Sequence, residues 1–125
     1  MTIREQAKEA AAAARKLAAV SPVIKNKALE AMADALLAEQ EEILAANAKD
    51  MEAGKAKGLK ESLLDRLLLT PARLADMAEG LRQVAALKDP VGEIIGGSTL
   101  PNGLTITKIR VPLGSSDLSA AGRRM

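Results

Sequence analysis

The sequence of 125 residues contains no Cys, His, Phe, Tyr or Trp. Without Cys it can form no disulfide, offers no thiol nucleophile and cannot build a Cys-based zinc site. Without His it lacks the commonest general base at neutral pH and the commonest metal ligand. Without aromatic rings it has nothing to stack on a nucleobase or a nicotinamide. These absences exclude many catalytic and binding chemistries without saying what the chain does.

Charge is balanced along the chain, with 18 basic and 16 acidic residues and a net charge of +2. Residues 1–60 carry 10 basic and 9 acidic groups, and residues 61–125 carry 8 and 7. A surface that tracks nucleic-acid phosphates needs several uncompensated cations together, so we expect no nucleic-acid partner. No apolar run approaches the ~18 residues of a membrane span, and the first residues lack a signal peptide's apolar region. We therefore expect no membrane partner and a cytoplasmic location.

What the sequence does contain is helix-forming residues, with 25 Ala and 18 Leu. Apolar residues recur at helical spacing through residues 1–87, which predicts a helical region there. Three start signals divide it: the capping box Thr2–Glu5, then Ser21–Pro22 and Thr70–Pro71. The predicted helices run from Ile3 to about Ala19, from Pro22 to about Ala38, from Glu41 to Ala53, from Leu59 to Leu69 and from Pro71 to about Leu87. Gly54 and Gly58 are predicted to end the third helix.

Turn-forming residues become frequent in residues 88–114, which we predict to be a β-hairpin. Its strands are Val91–Ile95 and Leu104–Val111, joined by the turn residues Pro101, Asn102 and Gly103. Residues 115–125 show no apolar periodicity and are predicted to be disordered. The expected fold class is mainly α, with domains at 1–87 and 88–114 followed by the tail. Because a lone hairpin is marginal in water, its strands need a partner, which is the helices, another sheet or another chain. Any self-association is expected to form through residues 91–113, where a strand edge is unpaired.

No stretch carries a strong catalytic or ligand-binding pattern. The six serines (Ser21, Ser62, Ser98, Ser115, Ser116, Ser119) lie in no nucleophile elbow, and without His they suit caps and loops better than catalysis, although a Ser–Lys pair stays open. The acids Glu39, Glu41 and Glu42 favour a helix N-terminus over a metal. Gly54–Gly58 suits a solvated loop better than a phosphate contact, and Gly96–Ser98 is glycine-rich but matches neither phosphate-loop pattern. Met32, Met51 and Met77 are predicted to fill the core. We therefore predict no catalytic, cofactor-binding or metal-binding residue.

Three segments taken in order are far more specific: ILAANAKDMEAGKAKGL (Ile43–Leu59), LLDRLLLTPARLADMAEGLRQVAALKDPVGEI (Leu63–Ile94) and PNGLTITKIRVPLG (Pro101–Gly114). Together they closely resemble the gamma-glutamyl phosphate reductase family, also called glutamate-5-semialdehyde dehydrogenase, of the aldehyde dehydrogenase superfamily. The likeness covers residues 1–114 and matches the family's N-terminal region. It implies an α/β parent fold in which these helices pack against a cofactor domain and the hairpin leads to an oligomerisation sheet.

The resemblance also implies a function in proline biosynthesis. The family reduces gamma-glutamyl phosphate with NADPH to glutamate-5-semialdehyde, through a thioester on a catalytic Cys. After Val111–Gly114 the family continues into its cofactor domain, whereas this chain reads SSDLSAAGRRM. A truncated gene or a frameshift after Leu113 or Gly114 would explain that change.

We therefore expect an N-terminal fragment of the reductase that is inactive alone and binds no NADPH. The alternative is a self-standing helical interaction module that associates through its hairpin or its exposed apolar helix faces. In the full fold, Leu63, Leu64, Leu67 and Leu68 are expected to be partly covered by the missing domain.

Overall fold

A computed structural model describes residues 2–114 of the chain. In order, its elements are α1 (Ile3–Leu17), α2 (Pro22–Ala38), α3 (Gln40–Ala56), α4 (Glu61–Leu67), α5 (Pro71–Ala86), β1 (Ile94–Thr99) and β2 (Thr105–Ile109). The predicted mainly α fold, helices followed by a β-hairpin, is confirmed. None of the described helices is long and apolar enough to cross a bilayer. The tail predicted at residues 115–125 lies outside the described residues.

Local capping signals start two of the helices as the sequence predicts. At α1 the Thr2 hydroxyl accepts the Glu5 amide at 3.3 Å, and the Glu5 carboxylate accepts the Thr2 amide at 2.7 Å. At α5 the Thr70 hydroxyl accepts the Arg73 amide at 3.2 Å, and Pro71 takes the first helical position. Each cap satisfies an amide that has no partner within its helix.

The chain consists of two compact units, and the unit of residues 23–88 holds the core. Its buried apolar residues are small: Ala33, Ala78 and Ala85, with Leu74 the one large side chain that is fully buried among the described residues. Within this unit α3 contacts both α4 and α5. The other unit takes in α1, none of whose residues is buried, and the β-hairpin. The domain division at residue 87 stays a prediction.

The end of α3 differs from the prediction, because Gly54 is inside the helix and buried. The helix continues to Ala56, and Gly58 makes the turn with φ of 73°. The Leu59 amide donates to the Gly54 carbonyl at 3.1 Å and the Gly58 amide to the Lys55 carbonyl at 3.0 Å. This is the Schellman arrangement, in which only the residue with positive φ needs to be glycine. Gly58 therefore ends the helix, whereas Gly54 serves packing.

The hairpin forms with the predicted turn but with a different first strand. The Gly103 amide donates to the Leu100 carbonyl at 2.9 Å, and the Asn102 side chain accepts the Leu104 amide at 3.1 Å. Strand β1 occupies Ile94–Thr99 rather than Val91–Ile95 and pairs antiparallel with β2, with an irregularity between Ile94 and Gly96.

The first strand was predicted at the wrong position because its glycines contact the partner strand, which is distant in sequence. Gly97 is paired with Thr107, and a Cβ added to Gly97 would lie 2.8 Å from the Ile106 carbonyl oxygen. A side chain at this position would therefore clash with the partner backbone. Gly97, which resembles part of a turn in the sequence, instead marks a close approach between the strands.

Candidate functional site

The structure does not assemble the sequence's candidate polar residues into a reactive site. No group of three or more metal-ligating side chains exists within residues 2–114, so Glu39, Glu41 and Glu42 form no metal centre there. Ser98 lies in β1, while Ser115, Ser116 and Ser119 fall outside the described residues. The segment Gly54–Gly58 is the end of α3, not a phosphate-binding loop.

The described surface instead presents an apolar groove of about 680 Å³ within residues 23–88. Helix α2 lines it with Met32 and Leu36, α3 with Ile43, and α5 with Met77, Leu81 and Val84; Ala35, Gly80 and Glu39 complete the lining. The methionines were predicted to be core residues, and for two of them this is wrong, since Met32 is 53% exposed and Met77 is 47% exposed. Helical periodicity identifies them as apolar positions but does not show whether another element covers them. We call this surface the α2–α5 groove.

A buried polar residue that sequence analysis missed organises the neighbouring part of the unit. Asn47 on α3 is 7% exposed. Its amide nitrogen donates to the Leu67 carbonyl at 2.8 Å, and its amide oxygen accepts the Leu69 amide at 2.8 Å. Both groups of the side chain are thus used to hold the end of α4 and the start of the following segment. The sequence did contain a signal for this residue. Asn47 lies four residues after Ile43 and four before Met51, which places it on the apolar side of an Ala-rich helix.

Arg73 on α5 holds the same end of α4 from the solvent side. Its guanidinium donates to the Leu68 carbonyl at 2.7 Å and also contacts the Asp65 backbone carbonyl. It forms an ion pair with the Asp65 carboxylate at 2.9 Å, in which both side chains are substantially exposed. Because exposed ion pairs contribute little, the backbone contacts are the more informative part. Asn47 and Arg73 together satisfy carbonyls that α4 leaves open at its C-terminus.

The leucines of α4 and its C-cap residue Leu68 divide between packed and exposed positions. Leu64 and Leu67 are half-buried and lie beside Gly54, where an added Cβ would meet their methyl groups at 3.2 and 3.5 Å. Leu63 is 44% exposed and Leu68 is 36% exposed. The short helix therefore packs one side on α3 and presents apolar side chains on the other.

The capping box of α1 shifts the pKa of its own carboxyl group. The pKa of Glu5 is lowered because its carboxylate accepts hydrogen bonds from the Thr2 backbone amide and hydroxyl. That carboxyl is fully exposed and belongs to the cap of α1.

Comparison with known proteins identifies where such a helical unit and hairpin occur. The chain is 59% identical over 110 residues to gamma-glutamyl phosphate reductase of Clostridium novyi, a match that covers 88% of this chain and 26% of that protein. It is 57% identical over 114 residues to gamma-glutamyl phosphate reductase of Moorella thermoacetica, covering 91% and 27% respectively. No model of a protein family matches the chain.

Solved structures agree with the sequence matches. The crystal structure of gamma-glutamyl phosphate reductase from Thermotoga maritima matches with a TM-score of 0.77 and 41% identity, covering 86% of this chain and 26% of that one. The enzyme from Saccharomyces cerevisiae matches with a TM-score of 0.75 and 35% identity, covering 90% and 29%. The chain thus corresponds to the N-terminal region of the gamma-glutamyl phosphate reductases, as its resemblance implies, and spans about a quarter of their length.

Proposed function

We propose that this chain, as the N-terminal region of a gamma-glutamyl phosphate reductase, supplies the helical unit and the hairpin of that oxidoreductase of proline biosynthesis. We further propose that NADPH-dependent reduction of gamma-glutamyl phosphate needs polypeptide beyond it. The observation that carries the proposal is 57–59% identity over at least 110 residues together with a matching fold. The cytoplasmic location remains part of the proposal, and none of the comparisons favours a self-standing interaction module.

The described residues do not fit NADPH. Dinucleotide sites of doubly wound folds lie at the carboxyl ends of parallel strands, where a Gly-rich turn leads into a helix. Within residues 2–114 the strands form a two-stranded antiparallel hairpin, and Gly96 and Gly97 lie inside β1 rather than before a helix. The chain also has no Cys on which a thioester could form. These features support assigning the chemistry to sequence outside this region.

A chimera tests whether this region is equivalent to that of its relatives. Residues 2–114 replace the matched quarter of the C. novyi enzyme, and NADP⁺ reduction is followed with glutamate-5-semialdehyde and phosphate. We expect turnover from the chimera and none from the isolated chain or from an enzyme lacking the region. A folded chimera without turnover would refute the equivalence.

The isolated chain tests the second half of the proposal. NADPH fluorescence is titrated with the purified chain, and the intact C. novyi enzyme serves as the positive control. We expect no saturable change with the chain. Saturable micromolar binding, or turnover that follows the purified chain, would place the site within these 125 residues and overturn the assignment.

We propose that the hairpin, residues 91–113, associates with a second copy of the chain. Supporting it, β1 and β2 are almost wholly exposed, and the apolar Ile106 and Ile109 are 45% and 53% exposed. A two-stranded ribbon also leaves strand edges with unpaired backbone groups. Size-exclusion chromatography with light scattering should show an oligomer that Ile106→Pro abolishes. The control Glu61→Pro, at the first position of α4 and outside the hairpin, should leave it intact. An oligomer insensitive to Ile106→Pro would place the interface elsewhere.

A further inference from the structure

The tip of the hairpin carries the single Asn–Gly pair of the sequence, Asn102–Gly103. Both residues are exposed, and Gly103 has a φ of 85°. Asn is a thermolabile residue, because the backbone nitrogen of the next residue can attack its side-chain amide carbon. Glycine in that next position favours the attack, since it has no Cβ to crowd the nitrogen. The hairpin tip is therefore a place where the chain can react with itself.

Two hydrogen bonds at the tip act in opposite directions on that reaction. The Leu104 amide donates to the Asn102 side-chain oxygen at 3.1 Å, so it polarises the carbonyl and stabilises the negative charge that develops there during attack. The Gly103 amide donates to the Leu100 carbonyl at 2.9 Å, which keeps the proton on the attacking nitrogen and holds that nitrogen in the turn. The reaction therefore waits until the bond from Gly103 to Leu100 opens.

The hairpin opens more easily than the places where the other two Asn residues lie. Strand β2 is exposed throughout and β1 almost throughout, and segments with exposed hydrogen bonds and few buried contacts open at low free energy. Asn26 lies in α2 and the buried Asn47 in α3. Helical hydrogen bonds fix the backbone at both, and each is followed by a residue with a Cβ. Of the three, Asn102 is the one placed to react.

We propose that Asn102 is a self-modification site, at which the chain loses ammonia when the hairpin tip is open. The Gly103 backbone nitrogen gives its proton to hydroxide and bonds to Asn102 Cγ. The Cγ–Nδ2 bond then breaks, and ammonia leaves with a proton taken from water, so that a cyclic imide remains. Water opens the imide, by addition at Cγ to give Asp or at the main-chain carbonyl carbon to give isoaspartate. No atom is oxidised or reduced, and the site depends on the hairpin alone, not on the proposed function.

The two products differ in what they do to the hairpin. Asp keeps an oxygen that accepts the Leu104 amide and adds a negative charge at the tip. Isoaspartate carries the main chain through its side-chain carbons, so the loop becomes longer. The Leu100 amide donates to the Leu104 carbonyl at 2.7 Å and closes the loop at its present length. Isoaspartate at position 102 therefore loosens this end of the strand pair, and the modification is a slow, one-way release of the hairpin.

Ageing the purified chain in mildly alkaline buffer, followed by peptide mass spectrometry, tests the site. Trypsin isolates Asn102 in residues 89–108, which contain no other side-chain amide, and cleavage after Glu isolates Asn26 in residues 10–30 and Asn47 in residues 43–52. We expect Asn102 to lose ammonia at least about ten-fold faster than either helical Asn and to give both Asp and isoaspartate. Equal rates at the three positions would overturn the proposal. So would Asp without isoaspartate, because direct hydrolysis by water forms no imide.

A pair of glycine variants tests whether opening of the hairpin controls the rate. An added Cβ in Gly97→Ala meets the Ile106 carbonyl oxygen at 2.8 Å, whereas in the matched control Gly96→Ala its nearest neighbour is at 4.0 Å. Asn102 should react at least about three-fold faster in Gly97→Ala and change less than about 1.5-fold in Gly96→Ala, because the rate follows the open population. Equal rates in the two variants would refute control by opening. Hairpin amides should also exchange faster in the isoaspartate form than in fresh chain, and unchanged exchange would refute the release.

Discussion

Replacing Asn47 with Ala should test whether one buried amide holds α4 to α3. The change removes two hydrogen bonds of 2.8 Å, to the Leu67 carbonyl and from the Leu69 amide. Each bond contributes about 1 kcal/mol net, and a buried group left unpaired costs about 1–3 kcal/mol. Leu67 and Leu69 are half-buried, so water satisfies part of the loss. Ala also gains up to about 0.7 kcal/mol of helix propensity, leaving an expected destabilisation of about 2 kcal/mol.

Urea unfolding followed by circular dichroism at 222 nm measures this free energy. The control is Asn26→Ala, an exposed position in α2, which should be neutral or slightly stabilising. Asn47→Asp keeps the size of the side chain and changes its hydrogen-bonding groups, so it distinguishes hydrogen bonding from packing. Its carboxylate can still accept the Leu69 amide but faces the Leu67 carbonyl, which disfavours the charged form and raises the pKa of the new carboxyl. The loss in free energy of unfolding caused by Asn47→Asp should therefore shrink as the pH falls, because the protonated carboxyl can donate a hydrogen bond to the Leu67 carbonyl.

The reasoning fails if Asn47→Ala costs no more than the control. It also fails if the deficit of Asn47→Asp is the same at about pH 7 and about pH 4, since only a hydrogen-bond donor toward the Leu67 carbonyl makes it depend on protonation. A loss in Asn47→Ala without that pH dependence would indicate a packing role for the side chain.

Three further predictions concern glycines and the cap of α1. Gly80→Ala should raise the free energy of unfolding in urea by up to about 1 kcal/mol, since its added Cβ meets nothing within 4 Å. Gly54→Ala should raise it less, because leucine methyls lie 3.1–3.2 Å from the added Cβ. An equal gain in the two variants would contradict this. Gly97→Ala should unpair the hairpin in amide exchange, whereas Gly96→Ala, with its nearest neighbour at 4.0 Å, should not. The pKa of Glu5 is lowered in the fold, so its contribution to α1 is present above the unfolded value and lost as the pH falls through the folded one; unchanged α1 chemical shifts across an NMR titration of that carboxyl would refute this.

The features that were predicted correctly from the sequence are those determined by contacts between residues close together in the chain. The capping box of Thr2 and Glu5 and the three-residue hairpin loop at Pro101–Gly103 depend on contacts within a few residues, and both formed as expected. Helix existence likewise followed from periodicity, because it is a property of one segment. Helix ends moved by a few residues, as cap geometry is decided by individual hydrogen bonds.

Glycine was misread wherever its function comes from a neighbour distant in sequence. Locally, Gly54 and Gly97 both resemble breaks, since glycine weakens helices and strands. In the fold each is a place where a side chain would collide, with leucine methyls beside Gly54 and a backbone carbonyl beside Gly97. The function of Asn47 was missed for the same reason, because both its partners lie 20 or more residues away. Nothing in local periodicity reports such contacts.

The exposed groove and the small core both follow from the Ala-rich composition of the helices. Among residues 2–114, three of the four buried apolar residues are Ala. Burying an Ala methyl contributes about 0.8 kcal/mol, against about 1.5–3 kcal/mol for a larger side chain. Much of the unit's apolar side-chain surface remains at exposed positions such as Met32, Met77 and Val84. Covering those side chains would add stabilisation that the isolated unit lacks. We therefore expect the helical unit to unfold at lower urea concentration in the isolated chain than in the chimera, and equal midpoints would mean that its stability does not depend on the rest of the enzyme.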